Sequence, residues 1–122
     1  MRKVLIVDDN ALFRKTLRVS LRAQFPFLSV SEASDGEEAL KAIPEFLPDV
    51  IFMDIHLPGR NGLEVTRTIK DLYPDIKVVL LSSYDLPEYR EAALLYKADH
   101  CAAKDSFMSL LNLISENPAG LT

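Results

Sequence analysis

The chain has 122 residues, with 14 basic and 18 acidic side chains and a net charge of −4, a length that fits one domain. A composition of 48% apolar and 26% charged residues excludes whole-chain disorder. Uncharged apolar runs such as Val50–Met53 and Val78–Leu81 fall far short of the roughly 20 residues a membrane-crossing helix needs.

A pI near 5.1 argues against nucleic-acid binding by this domain, because that affinity comes mostly from phosphate neutralisation. The single cysteine, Cys101, excludes an intrachain disulfide and fits a cytoplasmic, reducing setting. Met1-Arg2-Lys3 leads straight into a short apolar run that ends at Asp8-Asp9, which is not the pattern of a signal peptide.

In chain order, Val4-Leu5-Ile6-Val7 is the first candidate strand. A helix is expected over residues 10–24, with Phe13, Thr16, Leu17, Ser20 and Leu21 on one face and Arg14, Lys15, Arg18 and Arg22 as a solvated face. Residues 28–33 alternate and read as an edge strand. Asp35-Gly36-Glu37-Glu38 opens a second helix with Asp35 as N-cap, and Pro44 and Pro48 bracket its end. Val50–Met53 is continuous and apolar, as a strand buried on both faces should be. A helix over 61–73 is stopped by Pro74, and Val78–Leu81 is a second fully buried strand. A helix over 86–96 starts near Pro87, a favoured first-turn residue. His100 reads as a turn residue and Cys101-Ala102-Ala103 as a weak fifth strand. Residues 105–115 form the last helical pattern, with Phe107, Leu110, Leu111 and Ile114 as core. Asn117–Thr122 reads as a C-terminal tail or the start of a linker, leaving 1–116 as the domain.

Strand–helix alternation of this kind implies a doubly wound α/β sheet of five parallel strands with right-handed crossovers. In such sheets the functional crevice lies beyond the carboxyl ends of the strands. Asp8 and Asp9 follow the first strand, Asp54 the third, Ser82 and Ser83 the fourth, and Lys104 the fifth. Three carboxylates with no accompanying thiolate suit a hard, oxygen-preferring cation such as Mg²⁺ (or Mn²⁺). A divalent cation, an ammonium and a hydroxyl neutralise three non-bridging phosphoryl oxygens, leaving a carboxylate to act as nucleophile. Asp54, at the end of a buried strand beside Asp8 and Asp9, is the best candidate. Pro58-Gly59 and Gly62 shape the loop that follows it.

The runs Val4-Leu5-Ile6-Val7-Asp8-Asp9, Met53-Asp54-Ile55-His56-Leu57-Pro58-Gly59-Arg60-Asn61-Gly62 and Leu81-Ser82-Ser83, together with Lys104, resemble the receiver domain of two-component response regulators over about residues 2–115. The resemblance implies a flavodoxin-like (βα)5 fold with strand order 2-1-3-4-5, as in the chemotaxis receiver. It implies Asp54 as phosphoacceptor and Asp9 as direct Mg²⁺ ligand, with Asp8 in support and the backbone carbonyl of His56 as a further ligand. Ser82 becomes the switch hydroxyl and Lys104 the bridge to the phosphoryl group. Ser83 serves by being small, while His56 and Tyr84 are where the hydrolysis rate is tuned; the His56 side chain is expected to face solvent.

The implied partner is a histidine kinase or phosphotransfer domain, and a homodimer formed on phosphorylation is one implied output. Lys104-Asp105 and the stretch from Tyr84 to Tyr89 most resemble regulators whose C-terminal effector is a DNA-binding helix-turn-helix domain of the LuxR/NarL kind. Two positions depart from the family pattern. Cys101 stands where an aromatic is usual three residues before the lysine, and is expected to be a small buried packing residue. Lys97-Ala98 stands in place of Gly-Ala. Leu12 and Val19, off the main apolar stripe, are candidate docking residues for a kinase.

Rival readings have less support. A dehalogenase-type phosphatase needs a second aspartate where His56 stands, and an FMN-binding flavodoxin needs a phosphate loop where Asp8-Asp9-Asn10 would repel phosphate. A pseudo-receiver, acting through phosphorylation-independent contacts, draws its support from Cys101.

Overall fold

A computed structural model describes residues 2–83 and 86–105. The elements run β1 (Lys3–Val7), α1 (Ala11–Gln24), β2 (Ser29–Ala33), α2 (Gly36–Phe46), β3 (Val50–Asp54), α3 (Gly62–Leu72), β4 (Lys77–Ser82), α4 (Pro87–Leu95) and β5 (His100–Ala103). The strands form one sheet in the order β2-β1-β3-β4-β5, and every neighbouring pair is parallel. The expected fifth helix, with Phe107, Leu110, Leu111 and Ile114, lies outside the described residues, as does Tyr84.

The two-residue period of the strands divides the core. Leu5, Val7, Ile51, Met53, Val78 and Leu80 face α2, α3 and α4, where they meet Ala39, Ile43, Val65, Ile69 and Ala93. Val4, Ile6, Val50, Phe52, Val79 and Leu81 point the other way, onto Leu17 and Leu21 of α1. This two-sided burial explains why β3 and β4 carry unbroken apolar runs, whereas edge strand β2 alternates. The pattern reaches β5, where Cys101 joins the first cluster and Ala102 the second.

The helix starts are set by local chemistry. The side chains of Asn10, Asp35 and Asn61 accept hydrogen bonds from the backbone N–H groups of Phe13, Glu38 and Glu64, satisfying donors that a helix start leaves open. Pro87 opens α4 without a side-chain cap.

The end of α2 lies between Pro44 and Pro48, as expected: Pro44 stands in the last turn, and the helix continues to Phe46 and closes at Leu47 in the left-handed conformation (φ 53°), whose N–H donates to Ile43 O. Other expectations need correction. His100 is the first residue of β5 rather than a turn residue, paired with Val79. Thr16 is exposed, off the apolar face of α1. Cys101 is only half-buried, because β5 is an edge strand. Asp54 and Ser82 are the last residues of their strands rather than the first beyond them.

Lys97 stands in the left-handed region at φ 65°, where glycine carries no Cβ penalty. That conformation explains why the family pattern prefers glycine at this turn.

Candidate functional site

Parallel register puts the acidic residues at one level. Val7 pairs with Met53, so Asp8, one step beyond, stands beside Asp54 at the carboxyl rim of adjacent strands. On the other flank, Asp54 pairs with Leu81 and Ser82 with Ala103. The Lys104 N–H donates to Ser82 O at 2.8 Å, which fixes where the lysine leaves the sheet.

The side chains converge. Asp8 is fully buried and Asp54 is 2% exposed, and each offers an oxygen that lies with one from exposed Asp9 in a cluster no more than 4.8 Å across. Lys104 Nζ sits 2.7 Å from Asp8 Oδ2 and 3.2 Å from Asp54 Oδ2. The remaining carboxylate oxygens take backbone donors. Asp8 Oδ1 accepts from Asn10 N–H at 2.9 Å and Asp54 Oδ1 from His56 N–H at 3.1 Å.

Burial pushes the Asp54 carboxyl above the usual aspartate range, and the negative charge of Asp8 pushes it further; His56 N–H and Lys104 pull back without cancelling the rise. Burial pulls the Lys104 ammonium down, but hydrogen bonding and charge from Asp8 and Asp54 outweigh it, so its pKa is raised. One ammonium therefore holds together two buried carboxylates that repel each other. This donor set fits a hard divalent cation, since it is all oxygen and short of positive charge.

Backbone devices bring the loop after Asp54 close. A Cβ on Gly62 would sit 1.9 Å from the Asp54 carbonyl oxygen, so only glycine allows α3 to begin there. Gly62 N–H donates to Ile55 O at 2.9 Å, and Gly59 takes φ 76°.

The structure brings together Asp8, Asp9, Asp54 and Lys104, with Ser82 buried at the neighbouring strand end and Ser83 exposed beyond it. Cys101 lies apart from this group, three residues back along β5. Leu12 and Val19 are 73% and 57% exposed on α1.

Other contacts escaped the sequence reading. Arg14 and Arg18 are not a solvated pair. Both bind Glu32 of β2, and Arg14 also donates to the backbone carbonyl of Asp8. Phe13 packs against the core from the expected face of α1 and also places its ring 5.0 Å from Lys104 Nζ, a cation–π contact. His56 is exposed as expected, yet its Nε2 lies 3.1 Å from the Tyr89 hydroxyl of α4, with the rings edge-to-face at 5.6 Å. The Asp8-Asp9-Asn10 run hints at the first contact, because the Asn10 cap starts α1 at the rim. No spacing in the sequence signals Tyr89.

Comparison with known proteins agrees with this geometry. The response regulator receiver domain matches residues 4–115. The transcriptional regulatory protein DegU of Brevibacillus brevis is 40% identical over 87 residues, covering 71% of this chain and 37% of that protein. The receiver domain of the response regulator NarL from Mycobacterium tuberculosis superposes with a TM-score of 0.83 at 30% identity, over 94% of each chain. The response regulator TrrA from Thermotoga maritima, solved with Mg²⁺ and BeF, gives 0.84 at 32% identity, covering 95% of this chain and 98% of that one. The chain spans 37% to 50% of the length of the curated relatives named first by similarity. Among the described residues no helix is long and apolar enough to cross a membrane. The chain belongs to the response regulator receiver domain family.

Proposed function

We propose that this chain is a phosphorylation-controlled signalling switch in which Asp54 takes a phosphoryl group from the phosphohistidine of a kinase or phosphotransfer domain. The observation that carries the reading is Asp54 itself: a buried carboxylate at a strand end, flanked by Asp8 and held 3.2 Å from the Lys104 ammonium. Asp8, Asp9, Asp54 and the backbone carbonyl of His56 are the residues that would hold Mg²⁺ (or Mn²⁺). When bound, the cation supplies charge neutralisation for the phosphoryl oxygens.

An Asp54 oxygen forms the new bond to phosphorus as the bond to the donor imidazole nitrogen breaks, and that nitrogen keeps the electron pair. Lys104 pairs with a second non-bridging oxygen and the Ser82 hydroxyl donates to a third. Ser83 leaves room for that movement, and His56 and Tyr84 tune how fast water removes the group. TrrA was solved with Mg²⁺ and BeF, a fluoride that stands in for a phosphoryl group, and this supports a divalent cation together with a phosphoryl group here.

Drawing Ser82 and Lys104 towards the phosphoryl group biases the surface of α4 and β5 between two arrangements. With Cys101 on β5, that step proceeds without the usual aromatic. DegU is a transcriptional regulatory protein, which favours a C-terminal DNA-binding effector as the output. Leu12 and Val19 of α1 are the proposed docking residues for the kinase.

Incubation with acetyl phosphate and Mg²⁺ should label the protein at Asp54, and Asp54→Asn should abolish the label. Robust labelling of that variant would overturn the assignment. A wild-type chain that takes no label would favour phosphorylation-independent contacts instead.

A further inference from the structure

Two hydrogen bonds form a continuous link from the phosphoacceptor to α4. His56 N–H donates to Asp54 Oδ1 at 3.1 Å, and the ring of the same residue meets the Tyr89 hydroxyl at 3.1 Å. Tyr89 is anchored, being half-buried and packed on the apolar cluster beneath α4. His56 is not anchored in this way, because its side chain is exposed. The imidazole therefore rests where Tyr89 holds it, by a hydrogen bond and an edge-to-face contact with centroids 5.6 Å apart.

We propose that Tyr89 is a positioning residue, a latch that parks the His56 ring against α4 and so sets how long Asp54 stays phosphorylated. This deepens the switch reading and rests on it. In hydrolysis, the water oxygen bonds to phosphorus as the bond from phosphorus to the Asp54 oxygen breaks. The carboxylate leaves with the electron pair, and the proton shed by the water passes to solvent. A parked ring takes no part in this step. A released ring, two residues from Asp54, sweeps the mouth of the site and offers the incoming water a hydrogen-bond partner. The latch makes the lifetime answer to α4: a partner that shifts α4 opens the latch and shortens the phosphorylated lifetime, whereas one that fixes α4 prolongs it.

The test uses the whole chain. Tyr89→Phe keeps the ring and the packing but removes the hydroxyl. After labelling with acetyl phosphate and Mg²⁺ and removal of the donor, the label should decay about 3- to 10-fold faster in Tyr89→Phe than in wild type. In a His56→Ala background the same substitution should change nothing. That non-additivity is a signature a merely structural tyrosine would not give. An unchanged or longer lifetime, or an equal effect without His56, overturns the proposal. If the wild-type chain takes no label, the switch reading fails. The latch is then judged by the His56 ring-proton resonances, which Tyr89→Phe must move and which, left unmoved, refute it.

Discussion

Replacing Lys104 with methionine tests the electrostatics of the rim most directly. Methionine keeps most of the length and apolar bulk of the stem and removes only the charge. The ammonium lies 2.7 Å from Asp8 and 3.2 Å from Asp54. At an effective dielectric constant of about 20, each contact is worth roughly 5–6 kcal/mol of gross attraction. Desolvation offsets much of that, since both carboxylates are nearly inaccessible and the lysine side chain is 17% exposed. Removing one partner of a buried ion pair typically costs about 3–5 kcal/mol, because the other charge stays behind. We expect a loss of about 3 kcal/mol in the metal-free protein, which for a domain of this size lowers Tm by roughly 10 °C.

Two further results follow from the same geometry. Without the ammonium, Asp54 rises further above the usual aspartate range, so the deficit should shrink as pH falls and the carboxylates protonate. Mg²⁺ should also raise the Tm of the variant more than that of wild type, because the cation no longer competes with a resident charge. Saturation at 100 times the dissociation constant contributes about 2.7 kcal/mol. Thermal unfolding followed by circular dichroism, with and without Mg²⁺, measures both. A metal-free variant as stable as wild type, or a Mg²⁺ shift no larger than that of wild type, would show that Lys104 does not serve as the counter-ion of this site.

Gly62→Ala places its Cβ about 1.5 Å inside ordinary contact distance of the Asp54 carbonyl; it should cost about 2–4 kcal/mol in chemical denaturation and slow acetyl phosphate labelling, and wild-type stability would refute the close approach. Asp54→Asn should raise metal-free stability at neutral pH. Burial and the charge of Asp8 raise the native pKa, so the wild type loses stability as pH rises from the ordinary aspartate value of about 3.9 through that raised value. The gain should vanish below that range, and a variant no more stable than wild type at pH 7 would refute the sign. Thr66 is fully buried, and its hydroxyl has no hydrogen-bond partner among the described residues; Thr66→Val should therefore be neutral or stabilising by about 1 kcal/mol, and a clear loss in urea unfolding would reveal a partner.

What was legible in the sequence was what a single strand or a single turn encodes. Strands β3 and β4 announced themselves because burial on both faces demands unbroken apolar runs, and the residue at the end of each strand then had to stand at the shared rim. Asp35 was readable as a cap because its side chain needs only the N–H three residues on. The contacts that were missed are tertiary. Arg14 and Arg18 look like a solvated face because nothing local says that Glu32, on a neighbouring strand, stands within reach of both. Tyr89 reads as an ordinary helical aromatic until His56 is seen 33 residues away in sequence and 3.1 Å away in space.

The charge count at the rim unites these details. Three carboxylates face one ammonium, which leaves two negative charges uncompensated, the charge that one divalent cation supplies. The fold sustains that deficit because its framework is fixed independently of it. Arg14 holds the Asp8 carbonyl from α1, Gly62 seats α3 on the Asp54 carbonyl, and Lys104 is anchored by its own N–H on Ser82. None of these contacts uses a carboxylate oxygen of the cluster. The acidic groups are thus held in place by backbone geometry; under the proposed function their mutual repulsion would be relieved by a divalent cation and altered again by a phosphoryl group, which adds negative charge. A site built this way changes its electrostatic state by a large step when either arrives, and that step is what a switch needs to transmit.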